Sequence, residues 1–250
     1  MKDRSPSLRI LVLLLAVVVL ALVVPASVGL AKGNYGNPGV LPPDSHPFGK
    51  TYAEWNVAWW RWVYKTPAET NPLFDPTGAN CEEGQSGPVW FLAGTAGGAT
   101  TRHCTIPAGK AIFFPVINVN VDYPCPGDPW PVDNQAALTA GLRDFARFII
   151  NGTTGLYAKV DGRNLRNLDR YRAISPLFWF KADPSLSAAW GDACLTGQDQ
   201  VGVADGYWIM LAPLAVGEHE LSFGGWFKVP ELGLDFPVDV SYHLTVKPGN

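Results

Sequence analysis

Residues 88–119 read PVWFLAGTAGGATTRHCTIPAGKAIFFPVINV, and in this stretch short apolar segments are separated by turns that contain Gly and Pro. Apolar runs bounded in this way are typical of β-strands. We predict strands over 89–94, 104–107 and 111–119. The same pattern continues toward the C-terminus, where the predicted strands cover 155–160, 171–181, 207–212, 218–224 and 238–246.

This succession of short strands indicates the fold class. A parallel sheet would need a helix after each strand, and the sequence does not supply one. Closely spaced strands with turn signals between them are typical of sandwiches. We therefore predict a mainly β chain that folds as an antiparallel β-sandwich or jelly-roll-like domain, with two peripheral helices at about 51–65 and 134–150.

The first helix has a clear start signal, because Thr51 and Glu54 match the capping box S/T-x-x-E. Pro67 follows its end. Its apolar spacing places three indoles on one face, which we expect to pack on a sheet: Trp55, Trp59 and Trp62. Trp60 falls outside this face, on the side that we expect to meet solvent.

The second helix fits the segment that follows Asp133, which we predict to be its N-cap. Four apolar residues recur at helical spacing and form one stripe: Leu138, Leu142, Phe145 and Ile149. This stripe is expected to pack against the sandwich.

The N-terminus has the layout of a secretory signal. Lys2, Arg4 and Arg9 precede an apolar run over 10–24, and small residues lead to Ala31. We predict a signal peptide over 1–31 and a single secreted β-rich domain over 32–250, in a secreted, periplasmic or otherwise extracytoplasmic location. The alternative is an uncleaved membrane anchor, since nothing charged interrupts the apolar run.

Charge limits the classes of partner. The chain carries 19 basic and 22 acidic residues, and removal of 1–31 leaves 16 and 21, a net charge of −5. Nucleic acid is therefore excluded as a predicted partner. Association with a membrane is expected only if the N-terminal segment stays uncleaved.

Four cysteines at scattered spacing predict disulfides in an exported chain: Cys81, Cys104, Cys125 and Cys194. Three connectivities are possible. We favour Cys81 with Cys104, because a strand and a Gly-rich turn lie between them, which leaves Cys125 with Cys194. The four histidines have no ligand spacing, so we predict no metal site and no cofactor.

Several segments together resemble a family of exported bacterial proteins known mainly as open reading frames of unassigned activity. The segments are Y-x-E-W (52–55), W-W-x-W (59–62), GANC (78–81), GQSGPVWFLAG (84–94), CTIPAGKA (104–111) and DGYW (205–208). The resemblance implies export and a single domain. It implies no activity that could be transferred to this chain.

Glu54 is the candidate catalytic residue, although a weak one. Tryptophans surround it in sequence, and an apolar setting would raise the pKa of its carboxyl toward that of a general acid. Its place in the capping box is the favoured explanation. Four carboxylates could act as its partner, and turns or strand ends explain each of them too: Asp75, Asp161, Asp205 and Glu218.

The ten tryptophans are the compositional feature that most suggests binding. Indoles stack on sugar rings as readily as they fill cores. Trp60 lies off the core stripe, Trp130 lies between two prolines, and Trp226 follows two glycines. We take these three as the candidate binding residues.

The leading functional hypothesis is an exported, non-catalytic protein that binds a glycan, an envelope component or a protein partner through exposed aromatics. The alternative is a hydrolase or lyase that acts on an extracellular polysaccharide and depends on carboxylates. A trypsin-like protease is disfavoured, because Gln85 replaces the acid expected directly before the nucleophilic serine of such enzymes. A copper oxygenase that uses an N-terminal histidine is disfavoured because the first histidine is His46.

Overall fold

The computed structural model describes Asn37 and residues 39–249, so the predicted signal peptide lies outside the described residues. Three α-helices occur in this part of the chain: α1 (Tyr52–Lys65), α2 (Gln135–Asn151) and α3 (Ser185–Trp190). The strands are β1 (Val89–Phe91), β2 (Gly98–Pro107), β3 (Ala111–Tyr123), β4 (Thr153–Val160), β5 (Arg163–Asn164), β6 (Phe178–Lys181), β7 (Asp199–Leu211), β8 (Gly217–Val229) and β9 (Leu234–Lys247).

The strands form two sheets. The first has the order β1-β3-β7-β6, and the second has the order β2-β9-β8-β4-β5. Side chains of the two sheets meet between them, as where the rings of Phe114 on β3 and Phe223 on β8 lie 4.6 Å apart. The predicted mainly β, sandwich-like fold is confirmed.

Both sheets are mixed, whereas the sequence predicted antiparallel pairing. β1 pairs with β3 in parallel, and β2 pairs with β9 in parallel. Parallel neighbours need a crossover connection. Between β1 and β3 the crossover includes β2, which lies in the other sheet. The apolar pattern of a strand does not encode which edge the returning chain joins.

Helix α1 begins as predicted. The Thr51 hydroxyl accepts a hydrogen bond from the Glu54 backbone N–H, and the Glu54 carboxylate accepts one from the Thr51 backbone N–H at 2.7 Å. This reciprocal pair satisfies two N–H groups that the helix itself leaves without partners. The helix therefore starts at Tyr52.

Helix α1 is buried around most of its circumference rather than along one face. The three stripe residues belong to the core as predicted: Trp55, Trp59 and Trp62 are 6%, 1% and 7% exposed. The predicted placement of Trp60 on the solvent side is wrong, because its side chain is 5% exposed. Asn56 is also fully buried, and it donates to two backbone carbonyls. A helix that is apolar nearly all round is an internal helix.

The core indoles of α1 also fix the surrounding loops, because a buried indole N–H needs an acceptor. Each donates to a backbone carbonyl of a different segment: Trp55 to Pro47 (2.9 Å), Trp59 to Leu92 (2.9 Å) and Trp62 to Glu83 (2.8 Å). The helix is thus tied to three separate segments of the chain.

Arg102 on β2 is a second internal connection, since its side chain is 2% exposed. Its guanidinium donates to backbone carbonyls of two loops and to the Tyr242 hydroxyl on β9. The carbonyls belong to Leu73, Asp75, Ala93 and Gly94. A buried guanidinium is tolerated when its donors are satisfied in this way. Arg102 therefore holds the loop over 71–77 against the loop over 92–97.

Helix α2 begins one residue later than predicted, because Asn134 rather than Asp133 caps it through its side-chain oxygen. Leu142 and Ile149 are buried, as the stripe predicted. The predicted burial of Phe145 is wrong, since 44% of it is exposed. None of the helices in the described residues is long and apolar enough to cross a membrane.

Both predicted disulfides are present. One joins Cys81 to Cys104 and the other joins Cys125 to Cys194. Pairing of all four cysteines is typical of proteins in an oxidising, extracytoplasmic compartment.

The burial of α1 predicts that Trp59→Ala destabilises the protein strongly. The variant leaves a large cavity and removes a donor from the Leu92 carbonyl, so the free energy of unfolding should fall by about 3–5 kcal/mol. Thermal melts should show a drop of about 10 °C. Trp130→Ala is the control, since Trp130 is 39% exposed. Equal losses in the two variants would contradict the central position of α1.

Candidate functional site

Glu54 does not have the environment of a catalytic acid. It lies on the exposed start of α1, and its carboxylate accepts hydrogen bonds from the Thr51 backbone N–H (2.7 Å) and hydroxyl (3.0 Å). These hydrogen bonds, the backbone one first, lower the pKa of Glu54. The expectation that neighbouring indoles raise this pKa is wrong. The capping role explains the residue.

Trp130 and Trp226 are exposed, as the sequence suggested, at 39% and 42%. They lie apart in the fold, in the loop after β3 and on β8. The Trp130 ring packs edge-on against that of Trp179, with centroids 5.5 Å apart. Trp226 donates its indole N–H to Asp235 at 2.6 Å. Of the three candidate binding residues, Trp60 alone lines the cleft described next.

This cleft lies between the C-terminal half of α1, the end of α3 with the loop that follows it, and the far half of β3. It encloses about 220 Å³. Two sets of side chains give it its chemistry. The first is an aromatic set, Trp60, Tyr64 and Trp190, and the second is a polar set, Asn118, Asn120, Asp122 and Asp192.

The aromatic set forms a triangle of rings. The centroid of Trp60 lies 5.2 Å from that of Tyr64 and 6.2 Å from that of Trp190, and Tyr64 and Trp190 are 6.3 Å apart. Trp60 and Tyr64 are one helical turn apart, so they project from the same side of α1. The ring of Phe180 stacks on that of Tyr64, with the two ring centroids 4.3 Å apart.

Three of the polar residues come from alternate positions of β3, which places Asn118, Asn120 and Asp122 on one side of the strand. The Asn120 amide donates to the Tyr64 hydroxyl at 2.9 Å and so joins the polar set to the aromatic set.

The neighbouring strand β7 makes room for these side chains by having glycines beside them. A Cβ on Gly202 would lie 2.7 Å from the Asn120 side-chain oxygen, and one on Gly206 would lie 2.7 Å from the Cβ of Asn118. Both distances are too short for a side chain to be added without displacing the asparagine.

Several buried polar atoms of the cleft-lining residues have no hydrogen-bond partner. They are Trp60 Nε1, Asn118 Nδ2 and Asn120 Oδ1, which are half of the six such side-chain atoms among the described residues. Folded proteins leave few buried polar groups unpaired, and exceptions are often explained by a ligand or water. The contrast within α1 is direct, because Trp55, Trp59 and Trp62 all have acceptors.

Asp122 and Asp192 bring two carboxylates to the same cleft. Burial, and secondarily the charge of Asp192, raises the pKa of Asp122 to about 6. Asp122 accepts a hydrogen bond from the fully buried Gln200 at 3.1 Å. The same Gln200 nitrogen also donates to the carbonyls of Pro124 and Cys194.

The disulfide between Cys125 and Cys194 fixes this arrangement covalently. Cys125 is three residues after Asp122, and Cys194 is two residues after Asp192. The Asp192 carboxylate in turn accepts the Cys194 backbone N–H at 2.8 Å. Two segments that are distant in sequence therefore present their acids at one site.

The four carboxylates considered as partners of Glu54 have structural roles instead. Asp75 accepts backbone N–H groups of Thr77 and Asn80, Asp161 binds His219 (2.8 Å), Asp205 binds Arg172 (2.6 Å), and Glu218 accepts the Thr245 hydroxyl (2.9 Å). None of them lines the cleft. Within the described part of the chain, no three His, Cys, Asp or Glu residues are grouped so as to hold a metal ion.

Comparisons with known proteins do not assign a family: no family model, curated protein or solved structure matches this chain. The resemblance to exported bacterial reading frames therefore stays a prediction.

The raised pKa of Asp122 predicts a pH-dependent effect of Asp122→Asn. The pKa of an Asp in an unfolded chain is about 4, whereas the pKa of Asp122 in the folded protein is about 6. The folded protein therefore loses stability as the pH rises from about 4 through about 6. Above about pH 6 the parent protein carries a buried negative charge on Asp122, and the Asp122→Asn variant does not. We expect Asp122→Asn to raise the free energy of unfolding by about 1–3 kcal/mol at pH 8, and to change it little at pH 4.

Urea denaturation at the two pH values measures this difference. Glu231→Gln, at an exposed position after β8, is the control and should show no gain at either pH. A gain of equal size at pH 4 and pH 8 would show that the buried charge of Asp122 is not its source.

Proposed function

We propose that this chain is an exported binding protein that takes one small polyhydroxylated unit of a glycan or envelope component into the cleft. The observation that carries the proposal is the set of unpartnered polar atoms on Trp60, Asn118 and Asn120. Sugar hydroxyls both donate and accept hydrogen bonds, so a single sugar ring can satisfy an indole N–H, an amide N–H and an amide oxygen together.

The size and lining of the cleft support a ligand of this kind. Pockets for drug-sized ligands usually enclose about 300–1,000 Å³, and this cleft encloses about 220 Å³. One sugar ring suits such a volume better than a long segment of polymer. Rings such as those of Trp60 and Trp190 provide the apolar contact that accompanies polar recognition of sugars.

Isothermal titration of the exported protein against a panel of saccharides tests the proposal. Trp60→Phe keeps an aromatic ring and removes the indole N–H, so we expect it to weaken binding about tenfold, which corresponds to one hydrogen bond. Trp226→Phe is the matched control outside the cleft and should bind as the parent protein does. Equal weakening by the two variants would contradict binding in the cleft.

Asn118→Leu provides an independent readout. The variant removes an amide whose nitrogen is buried without a partner, so the free protein should be as stable as the parent or more stable. Binding should nevertheless fall about tenfold. Substitutions that combine lost binding with retained stability are characteristic of functional sites.

A hydrolase is the second candidate function, and the observation that favours it is the pair of cleft carboxylates with a raised pKa on Asp122. Glycosidases use one protonated and one ionised carboxyl across the scissile bond. Release of reducing ends from a polysaccharide, lost in both Asp122→Asn and Asp192→Asn while the fold is retained, would favour the enzyme. Binding without product release favours the binding protein.

A further inference from the structure

The cleft has an unbalanced charge. Asp122 and Asp192 line it, and no Lys, Arg or His is among the described residues that do. The ion pairs found in the described part of the chain lie elsewhere and include neither carboxylate. An uncompensated pair of acids in a partly buried site is costly, because burial disfavours the charged form and like charges repel.

The same protein shows how it compensates an acid that has a structural role. Asp205 is fully buried, and Arg172 binds its carboxylate at 2.6 Å. Asp122 instead has the neutral amide of Gln200, and Asp192 has a backbone N–H. Among the described residues, no cation accompanies these two acids as Arg172 accompanies Asp205, so a positively charged group on a ligand would supply the compensating charge.

The remaining lining suits a cation of one type. Aromatic rings attract ammonium groups through the negative potential of their faces. Tyr64 lies close to both acids, and the half-buried ring of Trp190 belongs to the same aromatic set. A compact ammonium group carried on a sugar could thus contact the two carboxylates, while the hydroxyls of the sugar lie among the other residues that line the same cleft.

We infer that the ligand of the cleft is an amino sugar with a free, protonated amine, held by Asp122 and Asp192. This inference rests on the proposed function and specifies its ligand class. N-acetylation removes the positive charge of the amine and adds bulk. The cleft should therefore discriminate between the free and the acetylated forms of the same sugar.

Calorimetric titration at pH 7 with three disaccharides tests the inference. The probes are the β-1,4-linked dimer of glucosamine, its di-N-acetylated form and cellobiose, which has hydroxyls in place of the amines. We expect the amine form to bind at least about tenfold more tightly than either of the others. Asp122→Asn and Asp192→Asn should each abolish this preference, while Glu231→Gln should keep it.

The pH dependence provides a second readout. The groups that face Asp122 are Asp192, Tyr64 and Gln200, and Asp122 gains its proton as the pH falls through about 6. The amine is already largely protonated there, so the preference for the amine form should decline as the pH falls from 7 to 5. In Asp122→Asn the preference should be absent at both pH values.

The outcomes separate the inference from the proposed function. Equal binding of the three disaccharides overturns the amine inference and leaves a saccharide-binding cleft. A preference that persists in both Asn variants overturns the assignment to this pair of acids. Absence of binding by all three probes overturns the inference together with the proposed function.

Discussion

The burial of α1 is the constraint on which the rest of the structure depends. A helix with large aromatic residues nearly all round has to be enclosed, and its indole N–H groups then need acceptors that water cannot supply. Loop carbonyls at Pro47, Glu83 and Leu92 meet this need, so the helix organises loops as well as sheets. Trp60 differs from these three indoles, because its N–H has no acceptor and its ring lines the cleft.

Asp205 is buried and Asp122 is half-buried, and the protein stabilises these two carboxylates in different ways. Asp205 is neutralised within the chain by Arg172, and this pair ties β7 to the segment after Leu168. Asp122 is supported by Gln200 and retains a raised pKa. Carboxyl groups with strongly perturbed pKa values are enriched at functional sites, where burial and neighbouring charges shift them.

Much of the framework could be predicted from the sequence, because its signals are local. The capping box at Thr51 and Glu54 predicted the start of α1, and the strand and Gly-rich turn between Cys81 and Cys104 favoured, among three connectivities, the one that the structure has. The position of Trp60 could not be predicted, since periodicity assumes that a helix has one buried face. The cleft was missed because Asp122 and Asp192 are 70 residues apart in sequence. The available signal was a polar residue at every second position, at Asn118, Asn120 and Asp122. The predicted strand ended at Val119 and therefore included only the first of them.

The parallel pairing of β2 with β9 has a consequence for how the chain reaches its native state. β2 lies at the edge of its sheet, and β9 is its sole neighbour in the order of the described strands. The guanidinium of Arg102 on β2 likewise acquires the Tyr242 hydroxyl only when β9 is in place. Pairing across so long a stretch of sequence raises the contact order, which slows folding. During synthesis β2 cannot join the second sheet until residues 234–247 have left the ribosome, so this strand stays unpaired until β9 is made.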